Sequence, residues 1–168
     1  MKVNPRLAPL LVPVAKLHLD PKNSRLHNER NLDAIERSLR DHGQQKPIVA
    51  LHDGTVIAGN GTFRVATERL GATELAVVYY DGTEDGARKF KIADNRTAEL
   101  AEWDDATLAE ELKAMSVDGF DLTDVGFTED ELAKLLKEDA GPEDFKDLDE
   151  ETVETNTTCP SCGYKWNG

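Results

Sequence analysis

The chain has 168 residues, 20 Lys and Arg against 33 Asp and Glu for a net charge of −13, with 39% hydrophobic and 6% aromatic residues. That length fits one ordinary domain with an appendage, or two small units. No stretch nears the 18 consecutive apolar residues of a membrane span, Pro9 and Pro13 interrupt the only candidate signal core (Leu7 to Val14), and two cysteines near the C-terminus staple nothing, so a soluble cytoplasmic protein is expected.

Charge divides the chain. Residues 1–100 are near neutral and hold all four histidines, whereas residues 101–168 carry 5 Lys and Arg against 20 Asp and Glu. An acidic segment repels phosphate backbones, so direct DNA binding through the C-terminal part is not expected.

In chain order, Val12 to Leu19 reads as a strand with Val12, Val14, Leu17 and Leu19 turned to a core, and Pro13 marks it as an edge. From Asn31, a candidate cap, Leu32, Ile35 and Leu39 form a helical stripe, with Gly43 placed for a left-handed cap. Pro47–Leu51 and Thr55–Ala58 form a hairpin across Asp53-Gly54. A helix with Phe63, Ala66 and Leu70 follows Gly59-Asn60-Gly61-Thr62, and Ala76–Tyr80 is a further strand. Thr83 caps a longer helix in which Phe90, Ala93, Thr97 and Leu100 share a face. The order β-α-β-β-α-β-α completes a small α+β domain over residues 1–102. An acidic helical extension spans 103–138, with Asp104 as one cap and Thr128 with Glu131 as a capping box. Residues 139–157 are an acid-rich linker too poor in apolar residues to order itself, and 158–168 a cysteine knuckle.

Four places carry the chemistry. Gly59-Asn60-Gly61-Thr62-Phe63-Arg64 leads a strand into a helix, where backbone N–H groups and the helix dipole suit a phosphate; Thr62 adds a hydroxyl and Arg64 a guanidinium. A plain strand-to-helix connection would use glycine in the same way. Gly43-Gln44-Gln45-Lys46-Pro47 offers two amides and an ammonium at a loop, or simple solvation. Asp94-Asn95-Arg96 pairs a carboxylate with an amide, oxygen donors suited to Mg²⁺ beside a phosphate, unless they are a solvated helix face. Cys159-Pro160-Ser161-Cys162-Gly163 is a turn in which two thiolates face one zinc ion. Two further ligands would come from a second copy, another protein, or histidines. His18, His27, His42 and His52 show no metal spacing, and no serine or cysteine nucleophile motif is present.

The order of elements and the first three of these loops together resemble the N-terminal domain of ParB, the plasmid and chromosome partition protein, within the ParB/sulfiredoxin superfamily, over roughly Leu11 to Glu102. Gly43-Gln44-Gln45-Lys46-Pro47 is similar to that family's G-x-x-Q-P loop. Gly59 to Ala66 falls at its G-E-R-R-x-R-A-A segment, and Ala93 to Arg96 at its E-N-x-Q-R segment. The resemblance implies a small mixed sheet with helices, and a pocket for CTP or ATP with magnesium. Arg25, Gly43, Gln45, Lys46, Gly59, Asn60, Gly61, Thr62, Arg64, Asn95 and Arg96 would contact the nucleotide, and Asp94 with Asn95 the metal.

The chain departs from the family where Asn60, Gly61 and Thr62 replace Glu, Arg and Arg, and where Lys46 replaces glutamine. A lost charged contact costs about 1.5–3 kcal/mol, so two would weaken affinity roughly a hundredfold or more. Asn60 stands where sulfiredoxin chemistry needs cysteine, which excludes that activity. The acidic helices after residue 103 lack the character of a DNA-reading helix-turn-helix. The expected function is a nucleotide-binding accessory protein of phage or mobile-element DNA metabolism, of the kind found alongside DNA methyltransferases, with a protein partner or homodimer. One alternative is a metal-dependent nuclease or nucleotide hydrolase using Asp94 with Glu68 or Glu99. The other is an interaction adaptor with a degenerate pocket.

Overall fold

A computed structural model describes residues 1–138 and 157–166; the acid-rich segment 139–156 and the last two residues lie outside the described part. Five short strands form a mixed sheet: β1 (Leu11–Pro13), β2 (His18–Leu19), β3 (Ile48–Ala50), β4 (Thr55–Ala58) and β5 (Glu74–Tyr79), in the spatial order β1-β5-β3-β4-β2. β1 runs antiparallel to β5 and β3 antiparallel to β4, whereas β3–β5 and β4–β2 are parallel. β1 is an edge, where Pro13 removes no ladder donor.

The expected strand from Val12 to Leu19 is broken. A 3₁₀ turn at Val14–Lys16 moves the chain from one sheet edge to the other, so Leu17 is buried but Leu19 is exposed. A second 3₁₀ turn, Pro5–Leu10, precedes β1 and has no counterpart in the sequence reading.

Helices α1 (Glu29–Asp41) and α2 (Asn60–Glu68) pack on each other and on the sheet. Leu32 and Leu39 from α1, Phe63, Val65 and Ala66 from α2, and Ile48, Val56, Leu75 and Val77 from the strands make one core. The cap of α1 is Asn28 rather than Asn31: its side chain accepts from the Asn31 N–H at 2.8 Å. Successive strand residues point to opposite faces, so Val56 enters this core while Ile57 faces the other side, where α3 (Glu84–Leu100) lies against β4. α3 is capped by Thr83, as expected, but buries Ala87 and Lys91 rather than the stripe from Phe90 to Leu100.

Beyond the sheet, α4 (Asp105–Val117) and α5 (Glu129–Glu138) close a second cluster, Leu108, Leu112, Leu122 and Leu132. Asp104 caps α4, and Thr128 and Glu131 exchange both bonds of the capping box at 2.8 and 3.2 Å. A separate hairpin, β6 (Thr157–Thr158) and β7 (Lys165–Trp166), carries the cysteines. No helix among the described residues is long and apolar enough to cross a membrane.

Candidate functional site

The site begins where β4 stops. Gly59 sits at φ +86°, a conformation L side chains rarely adopt, and a Cβ there would lie 2.6 Å from Ile48 Cγ2. The turn aims α2 so that its first N–H groups, at Asn60, Gly61 and Thr62, have no intrahelical acceptor, and no side chain caps them. Gly61 lets the His27 ring and Ile35 approach, since a Cβ would fall 2.8 Å from both. Asn60 is buried, and its Oδ1 has no hydrogen-bond partner. A buried acceptor left unpaired is costly, so this oxygen suits a ligand hydroxyl, an amino group or a metal-held water rather than a phosphate oxygen.

These groups wall a cavity of about 310 Å³. Its remaining lining comes from the loop before α1 (Asn23, Arg25, His27) and Ile35 within α1, from Lys46, Pro47 and the β3 residues Ile48 and Val49, from Ile57 and Ala58 at the end of β4, and from Asp94 and Asn95 on α3. Two cations therefore face one carboxylate. Lys46 and Asp94 form no ion pair among the described residues. Arg25 is bound to Glu99 of α3, which also accepts from Arg96 at 3.3 Å. The hydrogen bond from Arg25, then that from Arg96, holds the Glu99 carboxyl below its ordinary range. Asn95 donates its amide nitrogen to the Lys91 carbonyl at 2.9 Å, leaving the oxygen as the end that suits a cation.

Of the residues singled out in the sequence, the cavity gathers Arg25, Lys46, Gly59, Asn60, Gly61, Thr62, Asp94 and Asn95. Four lie elsewhere. Gly43, at φ +70°, ends α1 against the Lys2 backbone. Gln45 is held by Asn4 and the His42 carbonyl. Arg64 turns along α2 to Glu68 at 3.1 Å, and Arg96 to Glu99. Glu68 and Glu99 are thus occupied by arginines and line no part of the cavity.

Asn23, His27 and Ile35 line the cavity without having been marked in the sequence. His27 is positioned by Asn31 at 2.6 Å, an i,i+4 pairing visible in the sequence only once α1 is known to be extended by its cap. Gln44, expected from its loop position to be a solvated amide, is instead buried. It is 1% exposed and bonds both the N–H and the carbonyl of Ala76, at 2.8 and 2.9 Å, so it substitutes for a strand beside β5.

A second cavity, about 600 Å³, lies under the first half of α3 and shares Ile57 with the first. At its wall Lys91 Nζ meets Asp20 Oδ2 at 2.6 Å and the Lys22 carbonyl at 2.9 Å. Burial pushes the Asp20 carboxyl up, but the Lys91 hydrogen bond, the Lys22 N–H and both ammonium charges outweigh it and leave the group below its ordinary value. This pair anchors the loop that brings Asn23 and Arg25 to the smaller cavity. Among the described residues no group of three or more His, Cys, Asp and Glu is placed to hold a metal, so Asp94 with Asn95, and Cys159 with Cys162, are each partial donor sets.

The family model for the ParB-methyltransferase HTH domain matches residues 106–160, so the acidic helices after residue 103, expected to lack helix-turn-helix character, do match a helix-turn-helix model. No curated protein matches the chain. Among solved structures, the C-terminally truncated chromosome-partitioning protein ParB from Caulobacter crescentus complexed with CTP-gamma-S is similar with a TM-score of 0.63 and 18% identity, over 79% of each chain. The same truncated protein complexed to the centromeric parS site gives 0.42 at 18% identity, over 79% of this chain and 73% of that one. A Pnob8-like ParB-N domain gives 0.45 at 19% identity, over 76% of this chain and 59% of that one. The first of these likenesses shows that the chain has a ParB-like fold.

Proposed function

We propose that the chain is a nucleotide-binding ParB-like accessory protein, holding a nucleoside triphosphate in the cavity at the N-terminus of α2. The observation that carries this reading is the convergence, in one hollow, of the uncapped first turn of α2, the ammonium of Lys46 and the unpartnered Oδ1 of Asn60. The free N–H groups and Lys46 suit phosphate oxygens, and Asn60 Oδ1 suits a donor on the sugar or base. Asp94 and the oxygen of Asn95 would hold a magnesium ion, which neutralises phosphate charge and takes its remaining ligands from phosphate and water.

The similar Caulobacter crescentus protein was solved with a CTP analogue, which makes CTP the first nucleotide to try and ATP the second. The matched family couples ParB with methyltransferase, which supports a role beside a DNA methyltransferase, and phage or mobile-element DNA metabolism is the setting we propose for it. Residues 101–138 carry twelve carboxylates against three lysines, so the role proposed for them is protein contact rather than direct DNA binding.

Calorimetric titration with CTP, ATP and GTP in the presence of Mg²⁺ tests the reading. Saturable binding of one of them is expected, weakened by K46A about tenfold to a hundredfold, as loss of a charged hydrogen bond of about 1.5–3 kcal/mol implies. R64A should bind like the parent, because its guanidinium is turned to Glu68. No saturable binding to any of the three would overturn the proposal in favour of an adaptor with a degenerate pocket.

A further inference from the structure

The hairpin at residues 157–166 has no part in the cavity, and its construction points to a metal. Two strands of two residues each flank a tight turn: Cys159 N–H donates to the Tyr164 carbonyl at 2.7 Å, and Gly163 N–H to the Cys159 carbonyl at 2.9 Å. Gly163 closes the turn at φ +77°. Both thiols are free. The backbone N–H groups of Cys162 and Ser161 are directed at the Cys159 sulfur. Such donors stabilise the thiolate, the form that binds zinc.

A hairpin this short is not stable by its own ladder, and small modules without a core use a metal or a cross-link instead. Its apolar side chains are on the outside. Tyr164 and Trp166 stack at 6.3 Å with planes 15° apart, and Tyr164 is 69% exposed. A structural zinc takes four ligands in a tetrahedron, and the hairpin supplies two. No third His, Cys, Asp or Glu joins them among the described residues. A twofold-related copy would bring an identical pair of thiols to complete the set.

We propose that Cys159 and Cys162 are half of a tetrathiolate zinc site completed by the same two cysteines of a second copy, so that one zinc ion joins two chains. Four thiols lose four protons as one Zn²⁺ binds, giving a complex of net charge −2, with no change of oxidation state. The family match ends at residue 160, so Cys162 stands beyond it.

The test uses the whole chain, stripped with a chelator under reducing conditions and titrated with Zn²⁺ alone while mass is followed by sedimentation. A monomer that becomes a dimer at half an equivalent of zinc per chain is expected. Co²⁺ in place of zinc should give the intense visible bands of tetrahedral cobalt and a thiolate charge-transfer band. C162S should lose both responses while its thermal transition and far-ultraviolet dichroism match the parent. Uptake of one zinc by a persistent monomer, absence of uptake, or a dimer unchanged by the chelator would each overturn the proposal. None of these outcomes bears on nucleotide binding.

Discussion

Lys91 is the residue whose removal should say most about how the cavity is held. Its Nζ lies 2.6 Å from Asp20 Oδ2, and the two side chains are 11% and 12% exposed. Taking away one partner of a buried pair strands the other charge, at a cost of about 3–5 kcal/mol. Because both groups keep some contact with water, we expect K91M to lose about 3 kcal/mol. For a chain of this size that corresponds to a fall in melting temperature of roughly 6–12 °C. D20N/K91M strands no charge and should recover much of the loss, which thermal and urea melts of the four variants of the cycle would show.

The pH dependence sharpens the test. In the parent, the depressed pKa of Asp20 adds stability above its ordinary value near 3.8, and this is lost as pH falls through the lower folded value. In K91M the hydrogen bond and charge of Lys91 are gone, and burial is opposed only by the Lys22 N–H and ammonium, so the folded pKa of Asp20 rises relative to the parent and the variant loses less stability as pH drops. The gap between parent and K91M should therefore narrow as pH falls through the ordinary carboxylate range near 3.8 towards the parent's lower folded value. A gap under about 1 kcal/mol at pH 7, far short of a broken buried pair, or one that does not narrow on acidification, would refute this account.

Three further perturbations have defined outcomes. G61A places a methyl group 2.8 Å from both His27 and Ile35; overpacking of about 1–3 kcal/mol should outweigh the gain in helix propensity, with a net loss in urea melts and a shifted His27 ring signal. Q44L leaves the buried N–H and carbonyl of Ala76 unpaired, and a loss of about 3 kcal/mol is expected by chemical denaturation. In E131Q the bonds from the Thr128 backbone and the Arg30 guanidinium lose their carboxylate, whose pKa they depress to about 2 from 4.5. That contribution is present above pH 4.5 and lost as pH falls through about 2, so E131Q should be less stable than the parent at pH 7 and match it in strong acid.

The sequence made the helices and their ends legible because short-range chemistry decides them. Thr83, Asp104 and the Thr128–Glu131 box bond within three residues, and each cap lies where its pattern placed it. Asn28 and Asn31 are equally good caps by residue type, so residue type alone could not choose Asn28 as the cap. The glycine turn was legible for the same local reason, and with it the wall formed by Gly59 to Thr62. Long-range pairing was not legible. Nothing within α3 marks Lys91 as buried, since its partner Asp20 is 71 residues away. Arg64 matched a family position, yet a glutamate four residues on is the nearer partner, and the ordinary helical pairing prevails.

Helix α1 joins the two halves of the described chain. Asn31 and Ile35, four residues apart on one line of the helix, hold His27 and line the cavity. Arg30 and Ala34, on the adjoining line, face the C-terminal helices: Arg30 donates to the Gly126 carbonyl at 3.3 Å and to Glu131, and Ala34 lies beside Gly126. Neighbouring positions differ by about 100° around a helix axis, so the cavity and the seat of α5 are adjacent faces of one rigid rod. The second cluster, with Leu122 and Leu132, closes on the far side of that seat. The described C-terminal helices and the proposed nucleotide site therefore rest on adjacent faces of the same stretch of α1.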